Sequence, residues 1–122
     1  MRVVIAGNQA VTRRALAILL HTRLGIATVG EARDEKELME LVKSNHPELI
    51  LLEDGLPGAK LDELVPALQN LEFNPSVIVL SEHTETEQIA LAAGADRFVR
   101  KGDHPKQLLT AITSVLTKGD HE

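Results

Sequence analysis

The sequence predicts an α/β fold, a doubly wound parallel sheet with helices on both faces, and three observations carry that reading. Short apolar runs alternate five times with segments of helical spacing, the pattern of consecutive βαβ units. The run Leu49-Ile50-Leu51-Leu52 is apolar at every position, as expected of a central strand buried on both faces. It stops abruptly on Glu53 and Asp54, and Gly55 and a Pro57-Gly58 turn follow at once. In open sheets of this kind, ligands and chemistry gather at the carboxyl ends of the central strands.

Taken in order, Val3-Val4-Ile5-Ala6 reads as the first strand, ending at Gly7-Asn8-Gln9. Helical spacing runs from Ala10 to Leu24. It puts Val11, Ala15, Leu16, Leu19 and Leu20 on one face and Arg13, Arg14 and Arg23 largely off it, with Gly25 as the C-terminal cap. Ile26 to Ala32 is a second strand, less apolar and therefore nearer an edge. Asp34 and Glu37 frame a capping box. The helix they open turns Leu38, Leu41 and Val42 inward and ends at Asn45-His46-Pro47, because proline disfavours helix at the preceding residue.

Glu48 to Glu53 is the third strand and Asp54 to Leu61 a loop. Asp62 is the expected N-cap of a third helix reaching about Leu71, with Pro66 near its first turn, where a missing amide is tolerated. Ser76 to Ser81 is the fourth strand. Thr84-Glu85-Thr86-Glu87 reads as another capping box, opening a helix through Ala93 that Gly94 stops. Arg97 to Arg100 is the fifth strand. Pro105 starts a last helix that buries Leu108, Leu109, Ile112, Val115 and Leu116, and residues 118–122 form a polar tail.

The bulk numbers narrow the function. A chain of 122 residues is enough for one domain and too short for two, so residues 1–122 read as a single unit. Aromatic residues are 2% of the chain, which argues against base-stacking platforms. A net charge of -5 without a basic cluster argues against direct nucleic-acid contact. The absence of cysteine removes disulfides and thiolate metal sites. No apolar stretch approaches a membrane span and no signal-peptide core opens the chain, so a cytoplasmic location is expected. His21, His46, His83, His104 and His121 lack metal-ligand spacing and read as solvated. Ser81 and His83 do not form a nucleophile elbow. Gly7-Asn8-Gln9 lacks the remaining glycines of a dinucleotide fingerprint, and there is no Walker lysine.

Several segments, in order and at matching spacing, carry a resemblance over nearly the whole chain. They are residues 2–6, 29–34 and 46–52, Leu56-Pro57-Gly58, Val77 to Ser81, and Ala92 to Lys101. The sequence resembles a response-regulator receiver domain of two-component signalling, of the LuxR type that precedes a helix-turn-helix DNA-binding domain. The resemblance implies a flavodoxin-like sheet of strand order 2-1-3-4-5. It implies a role in signal transduction and transcription regulation rather than an enzyme's. It also implies protein partners, a homodimer, and an attached or separate DNA-binding output domain. The chain is then either a single-domain protein or the N-terminal part of a longer regulator.

The resemblance also assigns roles at the strand ends. The phosphoacceptor position, four residues before the loop proline, is Glu53 instead of aspartate, with Asp54 one residue late. The acidic pair that holds Mg²⁺ aligns with Gly7 and Asn8, which supply one neutral amide oxygen and no carboxylate. Mg²⁺ binding is therefore expected to be weak or lost, and no cofactor or catalytic residue is assigned. Ser81 holds the hydroxyl position that contacts the phosphoryl group, Lys101 the lysine that pairs with it, and Phe98 the aromatic that rotates between states.

Glu53 is then read as a fixed charge aimed at Lys101 and Ser81, or as half of a purely structural ion pair. The favoured function is an atypical, phosphorylation-independent interaction and dimerisation module. Two alternatives stay open. One is a phosphorylatable receiver whose altered acceptor is Glu53 or Asp54, although one step along a strand turns Asp54 to the other face. The other is a small-ligand sensor that uses the space left by Gly7.

Overall fold

A computed structural model describes residues 1–118. Five strands alternate with five helices: β1 (Val3–Ala6), α1 (Ala10–Leu24), β2 (Thr28–Ala32), α2 (Glu35–Asn45), β3 (Leu49–Glu53), α3 (Leu61–Gln69), β4 (Ser76–Ser81), α4 (Thr86–Ala92), β5 (Arg97–Arg100) and α5 (Pro105–Lys118). All strand pairs are parallel and the sheet order is β2-β1-β3-β4-β5. This is the flavodoxin-like order expected from the sequence. Except for Lys118, the expected polar tail lies outside the described residues.

Strand parity divides the core in two. Val4, Ala6, Ile50, Leu52, Val77 and Val79 pack with Leu38, Val42, Leu64, Val65, Leu68 and Ala90 of α2, α3 and α4. Val3, Ile5, Leu49, Leu51, Ile78 and Leu80 pack with Leu20, Leu108, Ile112 and Val115 of α1 and α5. Every residue of β3 is buried, because both sides of a central strand meet helices. The same parity continues into the residues just past the strand ends and decides which site side chains meet.

The helix ends show where local chemistry prevailed and where it did not. Asp34 caps α2, accepting from the Glu37 amide at 2.8 Å, and Glu37 reaches back to the Arg33 amide at 3.0 Å. Asp34→Ala is expected to cost about 1 kcal/mol, read as a fall of roughly 4 °C in a thermal melt. Asp62 does not cap α3. The helix starts two residues earlier than that cap would set, at Leu61, and the carbonyl of Lys60 receives the Glu63 and Leu64 amides, so Asp62 falls in the first turn, where the helix dipole favours an acid. Pro66 accordingly lies in the second turn, and the helix ends at Gln69.

Two further expectations are corrected. No side chain caps α4, which starts at Thr86, and Thr86 is buried rather than part of a capping box. In α1, Val11 and Ala15 face outward, with Val11 82% exposed, while Leu20 is buried and Leu16, Ala17, Leu19 and Leu24 are half-buried against the sheet. This helix is apolar on more than one side, so spacing alone did not select the face that docks.

Candidate functional site

The loops after β1, β3, β4 and β5 surround a cleft of about 280 Å³ at the carboxyl edge of the sheet. Asn8, Glu53, Asp54, Ser81, Glu82 and Lys101 line it. Glu53 ends β3 and is 2% exposed. Lys101 follows β5, and its amide donates to the Ser81 carbonyl at 2.8 Å, which continues the β4–β5 register by one residue. The Lys101 Nζ lies 2.9 Å from Glu53 Oε1. The contact is an ion pair by charge and distance, and Oε1 has no hydrogen-bond donor besides it among the described residues.

The other Glu53 oxygen explains Gly7. A Cβ at position 7 would lie 1.6 Å from Oε2 and 2.6 Å from Cδ. Gly7 is not among the glycines with positive φ, so its backbone does not demand glycine; the Glu53 carboxylate does. The longer acid at position 53 occupies the place a side chain at position 7 would need. The space that Gly7 was expected to leave for a small ligand is therefore taken by the protein's own carboxylate. Arg13, expected largely off the buried face of α1, is only 13% exposed at its side chain. It donates to the Gly7 carbonyl at 2.6 Å and to Glu31 at 3.3 Å.

Ser81 does not face Glu53, contrary to expectation. Its hydroxyl donates to Asp54 Oδ2 at 3.0 Å and accepts from the His83 amide at 3.0 Å. Parity is the reason. Ser81 continues the Val77–Val79 side and Asp54 the Ile50–Leu52 side, both toward α2, α3 and α4. Glu53, Lys101 and Gly7 continue the Leu51, Val99 and Ile5 side, toward α1 and α5. The site thus consists of two acid-centred groups. Phe98 is half-buried and packs on the α2–α4 core, and Asn8 is exposed at the mouth of the cleft.

Thr86 is the site residue that sequence reading missed. Its hydroxyl donates to the same Asp54 Oδ2 at 3.1 Å. Among the described residues no three His, Asp or Glu side chains are placed to hold a metal ion. A hard dication needs several oxygen ligands. Gly7 offers only its backbone carbonyl, which Arg13 already occupies, and Glu53 is turned onto Lys101, so the residues present do not fit Mg²⁺. No described helix is long and apolar enough to cross a membrane.

The response regulator receiver domain family matches residues 3–113. Over 112 residues the chain is 30% identical to the nitrate/nitrite response regulator protein NarL of Escherichia coli (strain K12), covering 90% of this chain and 52% of that protein. The signal receiver domain of the response regulator NarL from Mycobacterium tuberculosis superposes with a TM-score of 0.82 at 25% identity, over 99% of this chain and 97% of that one. A LuxR-family two-component response regulator from Aurantimonas sp. SI85-9A1 superposes with a TM-score of 0.87 at 24% identity, over 96% of this chain and 85% of that one. The last likeness speaks for the fold alone. The chain spans about half the length of the curated relatives it matches.

Proposed function

This chain belongs to the response regulator receiver domain family, and from that premise we propose that it is a phosphorylation-independent interaction and dimerisation module. One observation carries the proposal. The Glu53 carboxylate is buried, paired with Lys101 at 2.9 Å, and seated where a side chain at position 7 would stand. The lysine that the resemblance assigns to a phosphoryl group is already neutralised from within. Magnesium binding is weak or lost on the same grounds, because the two carboxylates that would balance ion dehydration are replaced by Gly7 and Asn8.

Asp54 is a poor substitute acceptor. Its Oδ2 is held by two hydroxyls, and the cation of the site is bound to its neighbour. The partners supported by this reading are proteins: a second copy of the chain and a DNA-binding output domain, attached or separate. The chain itself carries no reaction.

The test is a titration with Mg²⁺ and beryllofluoride, followed by amide NMR. No saturable shift is expected at Glu53, Ser81 or Lys101. A saturable shift centred on those residues overturns the proposal, as does radiolabel transfer from a histidine kinase that Asp54→Ala abolishes.

A further inference from the structure

Asp54 holds more than a cleft wall. Its amide donates to the Leu80 carbonyl at 2.8 Å, so its backbone is still in register with β4. Its Oδ2 accepts from Ser81 at the end of β4 and from Thr86 in the first turn of α4. One carboxylate oxygen therefore joins β3, β4 and α4. The helix it reaches is otherwise held by packing on α3, β4 and β5 through few buried side chains. Only Thr86 and Ala90 of α4 are buried, and no side chain caps its start. A helix this short is marginal without tertiary contacts, and hydroxyl bonds to a carboxylate are stronger than neutral ones.

We propose that Asp54 is a positioning residue that latches α4 to the sheet and completes the charge device begun by Glu53. Glu53 takes Lys101 and Asp54 takes the Ser81 hydroxyl. Together they satisfy, without modification, the two contacts that the resemblance assigns to one phosphoryl group. Through Thr86 the second contact is carried directly to α4. The outer side of that helix carries Ile89 and Leu91, 51% and 46% exposed, and the latch sets where these side chains stand. The inference rests on the proposed function for its meaning, but the latch itself can be tested separately.

The experiment is amide hydrogen exchange by NMR on the whole chain, comparing α4 with the central strands. Asp54→Ala is expected to speed exchange in α4 by about tenfold relative to β1 and β3, the loss of one charge-assisted bond or more. Thr86→Val should do the same. The double variant should be no faster in α4 than Asp54→Ala alone, because Thr86→Val breaks a bond that Asp54→Ala has already removed. Asp54→Asn keeps an acceptor oxygen at the same reach and should recover most of the protection. Unchanged α4 exchange in Asp54→Ala overturns the latch, as do additive effects of the two substitutions or an asparagine no better than alanine. Beryllofluoride binding by the unaltered chain would overturn the proposed function and leave the exchange result standing, so the two failures are distinguishable.

Discussion

Replacing Lys101 with methionine is expected to lower stability by about 2–4 kcal/mol, because it strands a buried charge. Glu53 is 2% exposed, and the Lys101 side chain 29%. Methionine keeps the stem of the lysine and removes only its ammonium, so packing loss is small. What remains is a carboxylate with no countercharge and a fully buried Oε1. Breaking such a pair from one side costs about 3–5 kcal/mol when both partners are buried, and the partial exposure of Lys101 sets the lower value. A urea titration reads the loss directly, and a thermal melt should show it as a fall of roughly 10 °C.

The companion variant decides what the loss means. Glu53→Met together with Lys101→Met removes both charges and keeps volume, and such apolar replacements are often neutral. The double variant is therefore expected within about 1 kcal/mol of the parent. It separates fold from function: stability returns while the fixed charge stays absent. If the charge controls association, self-association measured by sedimentation should change in the double variant although its stability does not. A double variant as unstable as Lys101→Met alone would show that the pair is not the source of the loss.

The fold was legible because its signals are redundant. The β3 run is apolar on both parities, the strand runs are separated by helical spacing, and caps such as Asp34 and Gly25 sit where the chemistry of helix ends puts them. The Glu53–Lys101 pair was legible too, through the positions those residues hold in the family pattern. The meeting of Ser81 with Asp54 was not foreseen, although the signal was present. Ser81 lies two and four residues after Val79 and Val77, and Asp54 two and four after Leu52 and Ile50. Parity carried through β3 and β4 pairs those two residues and leaves Glu53 on the other side. Thr86 was hidden for a different reason. Within the expected Thr84–Glu87 capping box Thr86 is an interior residue with no assigned contact, and only the tertiary placement of α4 brings its hydroxyl onto Asp54. In α1 the failure was one of excess: with apolar residues on several faces, spacing could not say that Val11 would be left in solvent.

Gly7→Ala carries the second large effect, and its value lies in coupling to position 53. The added Cβ would sit 1.6 Å from Glu53 Oε2, so the carboxylate must swing away. It can do so only by giving up its seat beside Lys101. Overpacking and partial loss of the pair together are expected to cost about 2–3 kcal/mol. Glu53→Asp alone shortens the side chain by one methylene and should cost about 1 kcal/mol. Combined with Gly7→Ala, it withdraws the atoms that clash. The double variant should therefore lose about 1–2 kcal/mol less than the sum of the single changes, well above the scatter of independent sites. Additivity in a urea-monitored double-mutant cycle would mean that Gly7 and Glu53 do not constrain each other. The same geometry orders any attempt to rebuild a metal site. Gly7→Asp with Glu53 in place meets the same clash and should gain no Mg²⁺ affinity, even with Asn8→Asp beside it. Only when Glu53→Asp is added do the carboxylates at positions 7, 8 and 53 have room to face one ion, and calorimetry should then detect binding that the other combinations lack.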